Sequence, residues 1–267
     1  MQHITVFGGS GFIGGHLVEH LARTGASVRI AARHPLTTLE PPKLARIQHV
    51  KVDILNDAAV QAAIQGADTV INLVGILSQA QRQTFTTIHE EGARRVAATA
   101  RRLGARQLVH VSALGASRAA PALADRSKAA GEAAVRATFP DATIIRPSLV
   151  CGPDDHFFNG FASRAHRLPA LPLIGGGQTK FQPVYVQDLV AGFAAILADP
   201  ASRGQTYEFG GPRIYTFKEL LEFVCATIDA RPVLVPGSEP TLADIRVEAK
   251  SLEAIVPEYL TAWRRRA

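Results

Sequence analysis

Ile4-Thr5-Val6-Phe7-Gly8-Gly9-Ser10-Gly11-Phe12-Ile13-Gly14 is a β-branched run that breaks into glycine and resumes as an amphipathic helix. Two spacings coincide in it. Gly9, Gly11 and Gly14 fit G-x-G-x-x-G, while Gly8, Gly11 and Gly14 fit G-x-x-G-x-x-G. Glycine is needed at such places for separate reasons: a tight strand-to-helix turn, close approach of backbone N–H groups to a pyrophosphate, and close packing of helix on strand. The phosphates then sit at the helix N-terminus, where unpaired N–H groups and the macrodipole favour negative charge. The context agrees, because residues 4–7 read as a short buried strand and Ile13, Leu17 and Leu21 recur at helical spacing. The stretch is therefore read as a dinucleotide cradle, with Gly8, Gly9, Ser10, Gly11, Phe12, Ile13 and Gly14 as its members.

With 267 residues, 47% hydrophobic and 19% charged, the chain is long enough to bury a full core and is globular in composition. The longest apolar runs, residues 70–77 and 189–198, are too short to span a bilayer, and the first contains Asn72. The cradle begins at residue 4, so no removable leader is expected ahead of it and a cytoplasmic location follows. Cys151 and Cys225 are too few and too isolated for a disulfide framework or a zinc site, and no metal-ligand spacing occurs. The formal charge is +6, with local clusters at Arg94-Arg95, Arg101-Arg102 and Arg264-Arg265-Arg266. No aromatic platform or nucleic-acid motif accompanies them, which argues against DNA or RNA as a partner. Solvated helix faces are the default reading of these clusters. An acidic protein partner or an anionic membrane surface is the functional one.

A second strand over residues 27–31 is followed by Ala32-Arg33-His34-Pro35. A carboxylate at this strand end would accept the ribose 2′-OH of NAD, and none precedes Glu40. Arg33 stands there instead, and a guanidinium can pair with a 2′-phosphate, so the sequence points to NADPH rather than NADH. Val52-Asp53-Ile54 ends a third strand, where Asp53 could accept from the adenine amino group or merely cap a turn. A helix opened by Asn56 or Asp57 comes next. The fourth strand runs over residues 69–75 and ends in Leu73-Val74-Gly75, as a strand passing beneath a cofactor should. A helix over 90–103 stops at Gly104, and the fifth strand is Gln107-Leu108-Val109-His110-Val111-Ser112. His110, in so apolar a strand, reads as a core histidine with its bonds satisfied. Strands alternating with helices predict a Rossmann-type α/β fold, a doubly wound parallel sheet.

Together, Gly8 to Gly14, Val52-Asp53, Asn72 to Gly75, His110-Val111-Ser112-Ala113, Ser127-Lys128-x-x-Gly131-Glu132 and Ile145-Arg146-Pro147-Ser148 resemble the atypical, extended-type short-chain dehydrogenase/reductase superfamily. Within it the chain is most similar to the nucleotide-binding accessory subunits of respiratory complex I and their bacterial relatives. Supporting this narrower match are Cys151-Gly152-Pro153-Asp154-Asp155 with Phe157-Phe158-Asn159, the segment 181–188, and the tail 252–260. The resemblance covers nearly the whole chain. It implies a cofactor site that includes Ile54, Leu73, Val74, Gly75, Val111, Ser112, Lys128, Arg146, Pro147 and Ser148, with Pro147 abutting the nicotinamide.

Reductases of this superfamily use a Tyr-x-x-x-Lys pair with a Ser at the end of the fifth strand. A phenol held near an ammonium supplies the proton that a developing alkoxide needs. Ser112 and Lys128 match that catalytic pattern, but four residues before Lys128 the chain has Ala124. A methyl group donates no proton, and losing a general acid costs about 10² to 10⁴ in rate. The remnant keeps a use without chemistry, since Lys128 can bond the nicotinamide ribose hydroxyls and Ser112 can line the pocket.

Residues 1–150 are expected to form the dinucleotide-binding domain, with a helix over 188–198 packing back onto it. Residues 151–267 are expected to form a small C-terminal lobe over the nicotinamide end. Pro169, Pro172 and Gly175-Gly176-Gly177 mark loops there, and Thr216-Phe217-Lys218-Glu219 is a capping box. Arg164, Arg167, Lys180 and Gln182 could contact an anion, and solvated charge explains them equally well. The expectation is an NADPH-binding, non-catalytic accessory or assembly subunit of respiratory NADH:quinone oxidoreductase, peripheral on the inner membrane's cytoplasmic face. The alternatives are an NAD(P)-dependent reductase or nucleotide-sugar epimerase or dehydratase of the extended type, and a dinucleotide-sensing regulator.

Overall fold

In β1 (His3–Phe7) the last four side chains are all buried, as in a strand covered on both faces. The glycine turn leads into α1 (Phe12–Arg23), whose buried stripe is Gly14, Leu17, Val18, Leu21 and Ala22. The structure, a computed structural model, describes residues 2–34, 46–236 and Leu260. Next come β2 (Ser27–Ala32) and β3 (Ile47–Lys51). α2 (Asp57–Ile64) is capped by the Asn56 side chain, which accepts from Ala59 N–H at 3.0 Å. After β4 (Thr69–Asn72), a π-helical turn, Thr86–Gly92, runs directly into α3 (Ala93–Arg102). Then follow β5 (Gln107–Val111), α4 (Leu123–Thr138) and β6 (Thr143–Pro147). The remaining elements are β7 (Val150–Cys151), α5 (Phe158–Arg167), β8 (Ala170–Leu173), β9 (Lys180–Phe181), β10 (Val184–Tyr185), α6 (Val186–Ala198), β11 (Thr206–Phe209), β12 (Tyr215–Thr216), α7 (Phe217–Thr227) and β13 (Val233–Pro236).

Seven strands form the central sheet in the order β11-β6-β5-β4-β1-β2-β3. β1 pairs in parallel with β2 on one side and β4 on the other, so Phe7 lies opposite both Ala31 and Asn72. β2–β3, β4–β5 and β5–β6 are parallel as well. This is the expected doubly wound sheet. Its strand order reverses between β1 and β4, and ligands of such sheets bind at that point, beyond the strands' carboxyl ends. One core joins Phe7, Val70, Leu108 and Ile144 of the sheet to Val60, Ile64, Val96, Ala100 and Val135 of α2, α3 and α4.

The chain divides into two compact units: residues 1–146 with 190–207, and residues 147–189 with 208–267. The second unit has its own core of Phe158, Ala162, Leu171, Phe217, Leu220, Leu221, Val224 and Leu260. Beside it lies a cluster of phenylalanine rings, Phe157, Phe158, Phe161, Phe181 and Phe217, with centroids 5.0–6.3 Å apart. The Thr216 capping box forms in full: Glu219 N–H donates to Thr216 Oγ1 and Thr216 N–H to Glu219 Oε2.

Several local expectations shift. The helix expected over 90–103 starts at Thr86 with one wide turn. α4 begins at Leu123, five residues before Lys128, so Ala124 and Lys128 stand one turn apart on it. Pro172 lies within β8, tolerated there because that strand pairs only with β13. The tail 252–260, apart from Leu260, and Glu40 lie outside the described residues.

Two helices come together where glycine removes a side chain. A Cβ on Gly131 of α4 would stand 2.0 Å from the His89 carbonyl oxygen in the π-helical turn. Gly131→Ala must push the two elements apart, and it is expected to lower the free energy of unfolding by about 1–3 kcal/mol in urea titration.

Candidate dinucleotide cleft

The turn after β1 leaves little room for side chains at Gly8, Gly9 and Gly14. Gly8 has φ +77°, and Gly11 N–H donates to its carbonyl at 3.0 Å. A Cβ on Gly14 would lie 2.3 Å from that same Gly8 oxygen, which is the close helix-to-strand packing expected of the third glycine. No side chain caps the start of α1 and no acid occupies its first turn. Its N-terminal N–H groups and positive dipole end are thus left to an anion.

Above this turn opens a cleft of about 250 Å³. Of the residues chosen from sequence, Gly8, Ser10, Gly11, Arg33, Ile54, Leu73, Val74 and Gly75 line it. Phe7, Ala31, Ala32, His34, Val52, Ile76, Gln83 and Ile88 line it too. Sequence reasoning missed these, although the ends of β1, β2 and β3 and the residue after Gly75 were the places to look. Gly9, Phe12, Ile13, Gly14, Val111, Ser112, Lys128, Arg146, Pro147 and Ser148 are not among the lining residues. Gly9 instead faces Ile30 and Val18, with 3.1–3.3 Å between a built Cβ and their methyls. Asp53 is exposed and accepts Leu55 N–H at 3.0 Å, a turn-closing bond, while its neighbours Val52 and Ile54 face the cleft. Arg146 binds Glu132 through two bonds of 2.8 and 2.9 Å. Pro147 and Ser148 begin the second unit.

Behind the cleft floor lies a polar nest. A Cβ on Gly75 would stand 2.9 Å from Lys128 Nζ and 3.6 Å from His89 Nε2, so glycine is what admits the lysine head. Among the described residues no carboxylate pairs with Lys128, because Glu132, whose charge reaches it, is engaged by Arg146. Burial therefore dominates and lowers the lysine to about 8, against an ordinary value of 10.5. His89 is lowered to about 4 by burial, then by the Lys128 charge. His110 is lowered to about 3, first by burial and then by the charges of Lys128 and His89. His110 is not the satisfied core histidine that its strand suggests. Asn72, whose Oδ1 accepts Val74 N–H, donates to its Nδ1 at 3.2 Å, but its Nε2 is buried without a partner. Ser112 Oγ, at the end of β5, is likewise buried and unbonded. Unpaired donors beside an uncompensated cation are what a ligand rich in hydroxyl and phosphate oxygens would satisfy. Together with the glycine turn, they fit a dinucleotide.

Ala124 occupies the turn before Lys128, and its carbonyl accepts the Ser127 hydroxyl at 2.6 Å. No phenol stands at that position of α4. In the second unit, the Arg164 guanidinium lies 5.3 Å from the Phe161 centroid and the Gln182 amide donates to Gly211 O, both contacts within the fold. The Cys151 thiol donates to Val184 O, and burial pushes it up to about 12, so it is an inert packing group.

Since the folded state holds Lys128 near 8, both states are protonated at pH 7 and the burial cost is fully present. It is relieved only as pH rises from about 8 to 10.5. Lys128→Met is expected to stabilise the nucleotide-free protein at pH 7 by roughly 1–3 kcal/mol while weakening dinucleotide binding. The stability gap should close by pH 10.5 in denaturant titrations. For the histidines, stability present above pH 6.5 should fall as acid protonates the unfolded chain, through the window from 6.5 down to about 4 for His89 and 3 for His110. His110→Phe should flatten part of that slope.

Residues 4–210 match the NAD dependent epimerase/dehydratase family. The mitochondrial NADH dehydrogenase (ubiquinone) 1 alpha subcomplex subunit 9 of Arabidopsis thaliana is 38% identical over 226 residues, covering 82% of this chain and 56% of that subunit. The Mus musculus subunit of the same name is 35% identical over 225 residues, 82% of this chain and 59% of its own length. This chain thus spans under two thirds of each of these two relatives. A ceramide reductase of Caulobacter vibrioides is 30% identical over 243 residues, 89% of this chain and 74% of that enzyme. A short-chain dehydrogenase/reductase superfamily protein from Agrobacterium tumefaciens, solved with bound NAD, shares the fold at a TM-score of 0.79 with 21% identity, covering 98% of this chain and 97% of that one. The family match takes in the whole glycine turn, the cleft and the nest, and by it the chain belongs to the NAD dependent epimerase/dehydratase family.

Proposed function

We propose that this protein binds NADPH without turning it over, and acts as an accessory or assembly factor of a respiratory NADH:quinone oxidoreductase at the membrane surface. The observation that carries the reading is the pairing of Lys128 with Ala124 one helical turn away. On this reading the glycine turn and Lys128 would serve a bound dinucleotide, while the position for the proton donor, Ala124, holds a methyl group. Similarity to the subunit 9 proteins supports the partner. Among the described residues no helix is long and apolar enough to cross a membrane.

Bound dinucleotide supplies hydride chemistry in this family. Here the chain's own groups would grip and orient it. The glycine turn and α1 N-terminus take the pyrophosphate, Arg33 takes the 2′-phosphate, and Lys128 and Ser112 take the nicotinamide ribose. Ligand confined to the folded state adds stability, about 2.7 kcal/mol at a hundredfold excess over its dissociation constant. No turnover is needed for that.

A second reading, an NADPH-dependent reductase, is favoured by the ceramide reductase match and by the retained Ser112 and Lys128. One experiment separates the two. Nucleotide released from the denatured, purified protein is identified, and NADPH absorbance is followed with carbonyl substrates, lipid ketones included. The binder reading expects released NADP(H) and no turnover, with copurification of oxidoreductase subunits. Sustained oxidation would establish the reductase. Arg33→Ala is expected to weaken NADPH binding about ten- to a hundredfold, the worth of a charge-assisted pair, and to leave NADH binding nearly unchanged in calorimetry.

A further inference from the structure

Three separate parts of the first unit meet on one imidazole that nothing so far has used. His89 sits in the π-helical turn, 2% exposed, with the Phe85 ring stacked on it at 5.4 Å. Its Nε2 accepts Ile76 N–H at 3.0 Å, from the residue after Gly75 on the cleft floor. Its Nδ1 lies 2.8 Å from Ser127 Oγ, on α4 next to Lys128. The Ser127 hydroxyl has one proton and gives it to Ala124 O at 2.6 Å, so it accepts from the ring. The proton of His89 is thus on Nδ1. His110 carries the opposite tautomer, since its Nδ1 accepts from Asn72. The chain of bonds runs unbroken from the cleft floor to the first turn of the lysine helix. A regular α-turn would rotate position 89 relative to both partners, and widened turns of this kind cluster at functional sites.

We propose that His89 is a positioning residue: as a neutral Nδ1–H imidazole it ties the Gly75–Ile76 floor of the dinucleotide cleft to Ser127 and so sets Lys128 against bound NADP(H). The proposal rests on the dinucleotide-binding reading above. Two facts agree with a polar strut rather than a space filler: both ring nitrogens are engaged, and burial, with the neighbouring lysine charge, keeps the ring from protonating. A protonated ring would lose the Ile76 bond.

The test compares His89→Phe, which keeps the ring volume and the stacking on Phe85 but offers no bond, with His89→Gln, whose Oε1 can accept from Ile76 N–H. NADPH affinity is expected to fall about tenfold in His89→Phe, the loss of one or two buried hydrogen bonds, and to recover most of that in His89→Gln. Wild-type affinity in His89→Phe would overturn the proposal. Independently, long-range proton–nitrogen NMR of the wild-type protein should show Nδ1–H for His89 and a slowly exchanging Ile76 amide, with the His89 signals moving when NADPH is added. An Nε2–H tautomer or an unprotected Ile76 amide would overturn it even if His89→Phe failed to fold. Should wild-type protein bind no NADPH, the proposed function fails, while the tautomer and the Ile76 amide still decide whether His89 is the tie.

Discussion

An ammonium held away from water, with no carboxylate of its own, is the constraint around which the first unit is arranged. Removing a charge from water is costly unless a partner restores what hydration supplied. Among the described residues, the acid whose charge reaches Lys128, Glu132, is clamped by Arg146 through two bonds, so the burial cost is not offset. Its neighbours make sense on that account. Gly75 lacks the carbon that would collide with the lysine head, and two histidines nearby are kept neutral. Ser112 Oγ waits without a bond at the end of β5. Stability is surrendered here, and a ligand oxygen can return it, a pattern that marks binding sites more often than cores.

Much of this could be read in the chain before any coordinates. The Asn56 and Thr216 caps and the glycine turn are local signals, fixed by residues within six positions of one another, and the parallel alternation is a sum of such local signals. Arg33, Leu73, Val74 and Gly75, read from strand ends, and Ile54, implied by the resemblance, line the cleft at the switch point. Asp53 shows the limit of that reasoning: alternate residues of an extended segment face opposite ways, and Val52 and Ile54 took the cleft side. The His89 tie could not be seen, since Ile76 and Ser127 lie 13 and 38 residues away and an isolated histidine before two glutamates carries no signal of its own. His110 was misjudged for the same reason. Its strand gives its burial but not whether an acceptor reaches its Nε2–H.

The second unit differs in kind. Its largely aliphatic core carries a cluster of phenylalanine rings, mostly packed edge to face, and its three strand pairs are each only two strands wide. Aromatic pairs in such arrangements hold a small core through shape as much as through area. Of the polar groups that could have marked a substrate pocket, the Gln182 amide is buried on a backbone carbonyl and the exposed Arg164 guanidinium lies against a ring face. That unit is consequently less telling about chemistry than the first, where His110 Nε2 and Ser112 Oγ are buried without a bond.

The interleaving of the two units has a bearing on how the protein is made. The first is assembled from residues 1–146 and 190–207, and β11, the outer strand beside β6, begins only at Thr206. Chains fold by domains as they leave the ribosome, yet here the nascent sheet keeps β6 as a bare edge until some sixty further residues have been translated. During that interval the emerging polypeptide offers a template for unwanted strand pairing, and a chaperone or early-bound nucleotide would have its greatest effect then.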